Sequence, residues 1–388
     1  MKIISVVGAR PNFMKIAPFC RAIEKHNETA NAINHIDHIL VHTGQHYDDR
    51  MSQAFFEALN IPNADINLNV HGGSNAEQID ATMEAFEPIV KNENPDWVIV
   101  VGDVNATAAC SQVADKMGVK IAHIEAGLRS NDLDMPEERN RLITDSLSNL
   151  LLTPDRIASR TLIEEGKNDE SIVFVGNIMI DTLEEQREKA AQLNIARIIQ
   201  DNALDSEHIG DSLYRELENG NFAFVTMHRP SNVDHKEILK PIIDFLCDEV
   251  AQDMILIWPV HPRTKKNLET FGLWQKVLEN PRIIVTYPLG YHELLRINMG
   301  AKLALTDSGG LQEECCVLGT PCLTLRWNTE RPITLQENGG ASILVGNDVG
   351  SIRQGYVSML AAETKPMRPE LWDGHTATRC VEAIVQHS

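Results

Sequence analysis

The stretch LALTDSGGLQEECCVLGTPCLTLR, residues 303–326, reads as a buried strand, a glycine-containing break, a short helix and a second buried strand. Continuous apolar runs separated by a helix are typical of parallel strands in a sheet that is covered on both faces. Ser308, Gly309 and Gly310 let the backbone approach a bound group closely, and the N–H groups at the start of the helix favour a phosphate. The stretch therefore predicts a βαβ unit with an anion site at its turn.

The same alternation extends along the chain. In the first half the apolar runs are KIISVVG (2–8), HILVHTG (38–44), WVIVVGD (97–103), KIAHIEA (120–126) and SIVFVG (171–176). In the second half they are FAFVTMH (222–228), MILIWPVH (254–261), RIIVTYP (282–288), KLALTDSGG (302–310), PCLTLR (321–326) and ASILVG (341–346). Because 388 residues is long for one core, we predict two Rossmann-like, doubly wound parallel-sheet domains, at 1–180 and 181–364. A helix within about 365–388 is expected to pack back on the first domain.

Composition excludes several classes of partner. The formal net charge of −20 argues against nucleic acid and against an anionic membrane. No apolar run approaches the roughly 20 residues that cross a bilayer, and the N-terminus turns polar too soon for a signal peptide, so we expect a cytoplasmic protein. The seven cysteines fit reduced core thiols. Cys315 and Cys316 are adjacent and so lack the spacing of a tetrahedral metal site, and no metal is expected.

Charged residues follow the strands of the first half. Arg10 and Lys15 come after the first strand, where they suit an anion, although Arg10 also fits an ordinary surface position. Asp103 and Glu125 follow two consecutive strands, and a buried carboxylate needs a partner, which Arg129 could supply. Asp103 can equally cap the helix that follows it.

Two further carboxylates stand at a predicted helix start. Glu137 and Glu138 follow Pro136 in the segment MPEERNRLITD (135–145). Proline and acidic residues in the first turn are ordinary helix-start chemistry. The residues alone therefore favour a structural role for both glutamates.

Two strands of the second half are each followed by a histidine and an arginine. His228 and Arg229 follow one of them, and His261 and Arg263 follow the next. This recurrence favours a functional site over a structural coincidence. His228 is the better candidate, because its polar flanking residues indicate an exposed loop.

Glu314 and Arg331 complete the candidate anion site. Glu314 lies further along the helix than the glycines and suits a hydrogen-bond donor such as a ribose hydroxyl. Arg331, in TERP (329–332), offers a bidentate clamp for a phosphate. The alternative for the whole segment is a capped helix with a solvated face.

Ten motifs occur in an order that resembles the non-hydrolysing UDP-N-acetylglucosamine 2-epimerases over most of residues 1–346. They are GARPNFMK, TGQHYD, VGDVNAT, HIEAGLRS, MPEERNR, VGNIMIDTL, MHRPSN, PVHPR, TDSGGLQEE and TERP. The resemblance implies a homodimer whose two domains have the GT-B arrangement, with the site in the interdomain cleft. It also implies reversible interconversion of UDP-GlcNAc and UDP-ManNAc, a reaction of polysaccharide biosynthesis that needs no cofactor. In that reaction UDP is eliminated across C1–C2 and adds back to a bound 2-acetamidoglucal.

The resemblance assigns roles by motif position. It implies catalytic roles for Asp103, Glu125, Glu137 and His228. It implies contacts with the UDP-sugar for Arg10, Lys15, Ser308, Gly309, Gly310, Glu314 and Arg331.

Some positions depart from the family pattern. Asn12 and Phe13 stand where many members have Glu-Ala, and Ile333 follows TERP where Glu is frequent. HTGQHYDDRMS (42–52) replaces a segment that in some members helps bind a second, activating UDP-GlcNAc. Relatives with similar TGQH segments act on UDP-2,3-diacetamido-glucuronic acid, so that substrate stays an alternative. A GT-B glycosyltransferase and a nucleotide-sugar-binding regulator are further alternatives.

Overall fold

Two parallel β-sheets organise the chain in the structure, a computed structural model. It describes residues 1–8, 10–30, 34–44, 62–205, 209–361 and 367–388, with only the backbone of Arg10, Pro11 and Asp211. Contacts between Cα atoms divide the chain into two units. Unit 1 comprises 1–185 and 370–388, and unit 2 comprises 186–369.

The sheet of unit 1 has seven parallel strands in the order β3-β2-β1-β4-β5-β6-β7. They are β1 (Lys2–Val7), β2 (Asp37–His42), β3 (Ile66–Asn67), β4 (Trp97–Val101), β5 (Lys120–Ile124), β6 (Leu150–Thr153) and β7 (Ile172–Phe174). Every residue of β4 is buried, as expected for a strand covered on both faces.

The sheet of unit 2 has six parallel strands in the order β10-β9-β8-β11-β12-β13. They are β8 (Phe222–Thr226), β9 (Ile255–Pro259), β10 (Ile283–Thr286), β11 (Leu303–Thr306), β12 (Cys322–Thr324) and β13 (Ser342–Leu344). The opening stretch of the sequence analysis thus supplies β11, a helix and β12, as predicted.

Helices cover both sheets. In chain order they are α1 (Arg10–Thr29), α2 (Asn75–Glu93), α3 (Asn105–Lys116), α4 (Pro136–Leu147), α5 (Arg156–Glu164), α6 (Ile178–Ala191), α7 (Ile195–Asn202), α8 (Asp211–Glu218), α9 (Pro230–Val233), α10 (Lys236–Phe245), α11 (Ala251–Asp253), α12 (Pro262–Thr270), α13 (Trp274–Leu278), α14 (Tyr291–Gly300), α15 (Gly309–Leu318), α16 (Val349–Ala361) and α17 (Thr376–Gln386). A π-helical turn, Leu246–Val250, joins α10 to α11, and short 3₁₀ turns lie at Asp169–Ser171, Pro332–Thr334 and Gln336–Asn338. Among the helices described, none is both long and apolar enough to cross a membrane.

The last segment of the chain packs on unit 1. Helix α17 lies against α1. The Asp181 carboxylate accepts hydrogen bonds from the backbone N–H groups of Thr376 at 3.0 Å and Ala377 at 2.7 Å. Trp372 Nε1 donates to the Pro154 carbonyl at 2.9 Å. That the two units are independent domains with the boundaries expected from the sequence stays a prediction.

Strand order in both sheets decides where a ligand can bind. In each sheet the first three strands are added towards one edge, and the later strands are added towards the other edge. The direction of strand addition therefore changes between β1 and β4 in one sheet and between β8 and β11 in the other. Ligands of such sheets bind outside the carboxyl ends of the strands at this reversal. The predicted fold class, α/β with two doubly wound parallel sheets, is confirmed.

Candidate active site

Glu125 stands directly after β5 in an unusual backbone conformation. Its φ of 75° is left-handed, which is rare for a residue with a Cβ atom and marks a position where the surroundings impose the geometry. The carboxylate forms a buried ion pair with the Lys15 ammonium, which α1 provides. A Cβ atom on Gly102 would lie 3.2 Å from both Glu125 Oε2 and Lys15 Nζ, so the glycine leaves room for the pair. The predicted partner of Glu125 was Arg129, and that prediction was wrong.

Arg129 serves a different acid group. Its guanidinium lies 2.7 Å from Asp145 Oδ2 and also binds the Glu165 carboxylate. Asp145 in turn binds the buried His123 ring, with 2.6 Å between Nδ1 and Oδ1. Burial raises the pKa of Asp145, but His123 and Arg129 lower it more, and the net pKa lies below the ordinary value. Sequence reasoning missed this cluster, although a histidine inside the apolar run KIAHI was a visible signal.

Asp103 follows β4 and is bound by the Arg141 guanidinium of α4. Its side chain is 23% exposed, so solvent reaches a carboxylate that a cation holds in place. The N-cap of α3 is Val104, which makes no side-chain cap bond, so Asp103 stands one residue before the cap position. Arg141 also binds Glu138 at 2.9 Å.

The two glutamates of the α4 first turn differ sharply. Glu138 is buried and accepts hydrogen bonds at 2.9 Å from the backbone N–H groups of Ser130 and Asn131. Its role is therefore structural, as the residues alone suggested. Glu137 is exposed, so it is the one of the two that a ligand can reach.

In unit 2, His228 follows β8 and pairs with Asp307, which follows β11. His228 Nδ1 lies 2.8 Å from Asp307 Oδ1, and the backbone N–H groups of His228 and Arg229 also donate to this carboxylate. Burial raises the pKa of Asp307, but His228 and the N–H donors bring it below its ordinary value. Since the His228 side chain is 45% exposed, the buried aspartate orients an imidazole that solvent reaches. The sequence had not singled out Asp307.

His261 and Arg263 occupy the corresponding place after β9. The rings of His228 and His261 have centroids 5.5 Å apart. Burial lowers the pKa of His261, and the neighbouring His228 lowers it further. Arg263 forms a surface ion pair with Asp234.

Ser308 is the N-cap of α15, and its side chain makes no cap bond. The Ser308 side chain therefore does not accept a hydrogen bond from the backbone N–H groups of the first turn. An anion site at a helix start needs N–H groups that can donate to the anion. A Cβ atom on Gly310 would meet nothing within 4 Å. The turn after β11 is therefore open at Gly310, and the anion site expected there stays a prediction.

Glu314 lies one turn further along α15 and is buried. Burial raises the pKa of its carboxyl to about 7; the neighbouring Tyr291 and Asn298 oppose the shift, and the Glu313 charge adds to it. A carboxyl with this pKa is divided between its two protonation states near neutral pH. Sequence reasoning missed Tyr291 and Asn298.

Arg331 lies close to the start of α15. Its Nε lies 2.7 Å from Glu313 Oε1, and its Nη1 contacts Glu330 Oε1. The guanidinium is therefore held by two carboxylates in a buried position.

The remaining predicted residues are described in part. The backbone of Arg10 begins α1, and nothing more of it is described. Of the motif TGQHYD only Thr43 and Gly44 lie within the described residues. Among the residues that the structure describes, no three His, Cys, Asp or Glu side chains are grouped so that they could hold a metal ion. In unit 1 the structure places Lys15 and Glu125 beside Gly102, Asp103 directly after that glycine, and Glu137 in the first turn of α4. In unit 2 His228 follows β8, the candidates 308–310 and Glu314 lie at and along α15, and Arg331 lies beside the start of that helix.

Known proteins resemble the whole chain. A family model described as UDP-N-acetylglucosamine 2-epimerase matches residues 28–385. The UDP-N-acetylglucosamine 2-epimerase of Methanocaldococcus jannaschii is 40% identical over 386 residues, 99% of each chain. The crystal structure of the M. jannaschii UDP-GlcNAc 2-epimerase in complex with UDP-GlcNAc and UDP has a TM-score of 0.83 at 38% identity, with all of both chains covered.

A relative with another substrate is nearly as similar. The UDP-2,3-diacetamido-2,3-dideoxy-D-glucuronate 2-epimerase of Pseudomonas aeruginosa is 36% identical over 348 residues, 89% of this chain and 88% of the relative. All these proteins are 2-epimerases of UDP-linked sugars. The chain belongs to the UDP-N-acetylglucosamine 2-epimerase family, whose members are isomerases.

Proposed function

We propose that this enzyme interconverts UDP-GlcNAc and UDP-ManNAc by eliminating UDP across C1–C2 and adding it back to a bound 2-acetamidoglucal. The observation that carries the proposal is a pair of carboxylates at consecutive strand ends, each held by a cation, Glu125 by Lys15 and Asp103 by Arg141. They occur in a chain that is 40% identical along its length to a UDP-N-acetylglucosamine 2-epimerase.

The first chemical requirement is a stabilised leaving group. The hydrogen on C2 has no adjacent carbonyl and becomes acidic only as the C1–O bond breaks and positive charge develops at C1. The electron pair of that bond leaves with the β-phosphate of UDP. Preorganised donors and cations stabilise such developing charge, usually as the largest single contribution to catalysis. In this proposal the start of α15, Arg331 and His228 serve the leaving phosphate, together with Arg10 and Lys15.

The second requirement is proton transfer on both faces of C2. One rigid carboxylate cannot reach both faces, so the reaction needs at least two groups. Asp103, Glu125 and Glu137 are the proposed acids and bases, and their arrangement agrees with this use, since Asp103 and Glu137 are accessible and Glu125 is neutralised by Lys15. The proton leaves C2 as UDP departs, and a proton returns from the opposite face as the UDP oxygen bonds to C1 again.

The remaining residues of the proposal bind the substrate without taking part in proton transfer. Ser308, Gly309 and Gly310 are proposed to bind the diphosphate through backbone N–H groups, and Glu314 is proposed to accept a hydrogen bond from the uridine ribose. A homodimer, a cytoplasmic location and a product that serves polysaccharide synthesis stay predictions.

The test is exchange of the C2 hydrogen. Incubation of the protein with UDP-GlcNAc in D₂O, without an acceptor sugar, is followed by proton NMR. The proposal expects loss of the C2 proton signal and appearance of UDP-ManNAc. Unchanged UDP-GlcNAc would contradict it.

A second candidate substrate is UDP-2,3-diacetamido-2,3-dideoxy-D-glucuronate. The 36% identity to the P. aeruginosa enzyme over 89% of this chain favours it. The same D₂O experiment with this sugar distinguishes the two, because the preferred substrate exchanges its C2 proton with the higher kcat/KM.

A further inference from the structure

Two adjacent glutamates of α15 face different neighbours. Consecutive residues of a helix are rotated by about 100°, so their side chains point apart. Glu314 faces Tyr291 and Asn298. Glu313 instead lies 2.7 Å from Arg331 Nε. The proposed function uses Glu314 for the ribose and leaves Glu313 without a stated role.

Arg331 is fixed through both its side chain and its backbone. Glu330 contacts Nη1, and Glu313 Oε1 forms an ion pair with the guanidinium at 2.7 Å from Nε. The Arg331 N–H donates to Thr329 Oγ1 at 3.1 Å, and its carbonyl accepts from Thr334 Oγ1 at 2.8 Å. Few rotamers remain for an arginine held in this way.

The segment that carries Arg331 is also tied to α15. Gln312 Oε1 accepts a hydrogen bond from Thr329 Oγ1 at 3.0 Å and lies 3.4 Å from Thr334 Oγ1. Glu330 Oε2 accepts from Arg326 Nη2 at 2.7 Å. The two glutamates and two arginines of this cluster, Glu313, Glu330, Arg326 and Arg331, are all buried.

The guanidinium lies against the first turn of α15. A Cβ atom on Gly309 would be 2.8 Å from Arg331 Nη1 and 3.1 Å from Glu330 Oε1. The cluster therefore sets Arg331 beside the backbone N–H groups at the start of the helix. Backbone N–H groups and a guanidinium both donate hydrogen bonds to bound anions.

We propose that Glu313 and Glu330 are positioning residues that hold Arg331 so that its guanidinium and the first turn of α15 bind one diphosphate. This inference rests on the proposed function, because it assigns the diphosphate of UDP to that turn. The formal charges of the two glutamates and two arginines cancel, so the contribution of Arg331 depends on its placement. An arginine that is already fixed loses less conformational freedom when the ligand binds.

Placement and simple charge make opposite predictions. Glu313→Gln keeps the shape of the side chain and removes a negative charge near the proposed anion site. If Glu313 acted only through its charge, its removal would tighten UDP binding. If Glu313 positions Arg331, the variant binds UDP more weakly because the guanidinium is released from its orientation.

The experiment is a double-mutant cycle of UDP affinity measured by isothermal titration calorimetry. We expect Glu313→Gln and Glu330→Gln each to weaken UDP binding about tenfold, or roughly 1.4 kcal/mol. In the Arg331→Ala background the same changes should alter affinity less than about twofold, because no guanidinium remains to be positioned. Glu337→Gln, an equal charge change at an exposed position of the same unit, is the matched control and should leave UDP affinity unchanged.

Three results would overturn the inference: tighter UDP binding by Glu313→Gln, unchanged affinity in both glutamate variants, or equal effects with and without Arg331. Circular dichroism and thermal unfolding of each variant exclude loss of the fold as the cause. If one glutamate variant does not fold, the other completes the cycle. Failure of the unaltered protein to bind UDP would instead contradict the proposed function itself.

Discussion

Lys15 and Glu125 form a buried ion pair across 110 residues of sequence, with side chains that are only 8% and 3% exposed. The lysine comes from α1 and the glutamate from the end of β5. Removing one member of a buried pair leaves the other charge unneutralised, which costs about 3–5 kcal/mol. The pair therefore has a role in stability besides its proposed role in the reaction.

Lys15→Met should lower the free energy of unfolding by about 3–5 kcal/mol, since it removes the cation that pairs with the buried Glu125 carboxylate. The double variant Lys15→Met/Glu125→Gln should recover most of that loss because no charge remains. Urea unfolding of both variants measures this. A double variant that is no more stable than Lys15→Met would show that the pair is not coupled as described.

Asp103→Asn should lower kcat by a factor of roughly 10²–10⁴, the range of general acid–base participation, while UDP still binds. Arg141 can still donate to the asparagine oxygen, so the fold is expected to persist. Asp115→Asn, the same chemical change at an exposed position of α3, is the control. Near-normal turnover in Asp103→Asn would remove Asp103 from the proton-transfer scheme.

Glu125→Gln should reduce kcat at least as strongly as Asp103→Asn, with little change in UDP affinity. Glutamine is isosteric with glutamate but cannot take up the C2 proton. Steady-state kinetics together with UDP titration separates the two effects. Weaker UDP binding without loss of kcat would indicate a binding role for Glu125 instead.

Glu314 makes stability depend on pH. Its pKa is raised from 4.5 to about 7 by burial, so the folded protein holds this proton more tightly than the unfolded chain. The resulting stability is fully present below about pH 4.5 and is lost as pH rises through about 7. Glu314→Gln should therefore gain stability relative to the unaltered protein between about pH 5 and 8, by on the order of 3 kcal/mol. Urea unfolding at both pH values tests this, and a pH-independent difference would contradict it.

Gly309 and Gly310 provide a matched pair of substitutions. Gly309→Ala places a Cβ atom 2.8 Å from the Arg331 guanidinium, which two glutamates hold, so we expect a loss of about 1–3 kcal/mol of stability. Gly310→Ala meets nothing within 4 Å and should be neutral or slightly stabilising, because alanine favours a helix. Thermal unfolding compares them, and equal melting temperatures would contradict the crowding at Gly309.

Sequence pattern predicted the elements of this fold because the periodicity of apolar residues is local. The run WVIVVGD contains β4, Trp97–Val101, and the run KIAHIEA contains β5, Lys120–Ile124. The rule that ligands bind at strand ends then selected Asp103 and Glu125; the structure pairs Glu125 with the α1 lysine beside Gly102 and Asp103 with Arg141.

Partners distant in sequence could not be read in the same way. Lys15 rather than Arg129 neutralises Glu125, because β1 and β5 both flank β4 in the sheet, an order that local patterns do not contain. The pairing of His228 with Asp307 likewise depends on β8 lying next to β11.

The most direct test of the account is positional isotope exchange in the substrate. UDP-GlcNAc labelled with ¹⁸O in the bridge between C1 and the β-phosphorus is incubated with the enzyme, and ³¹P NMR follows the label. If the C1–O bond breaks and re-forms, the label moves to the non-bridging positions of the β-phosphate at a rate comparable to that of epimerisation. Epimerisation with the label retained in the bridge through many turnovers would contradict an elimination in which the β-phosphate rotates before UDP adds back to C1.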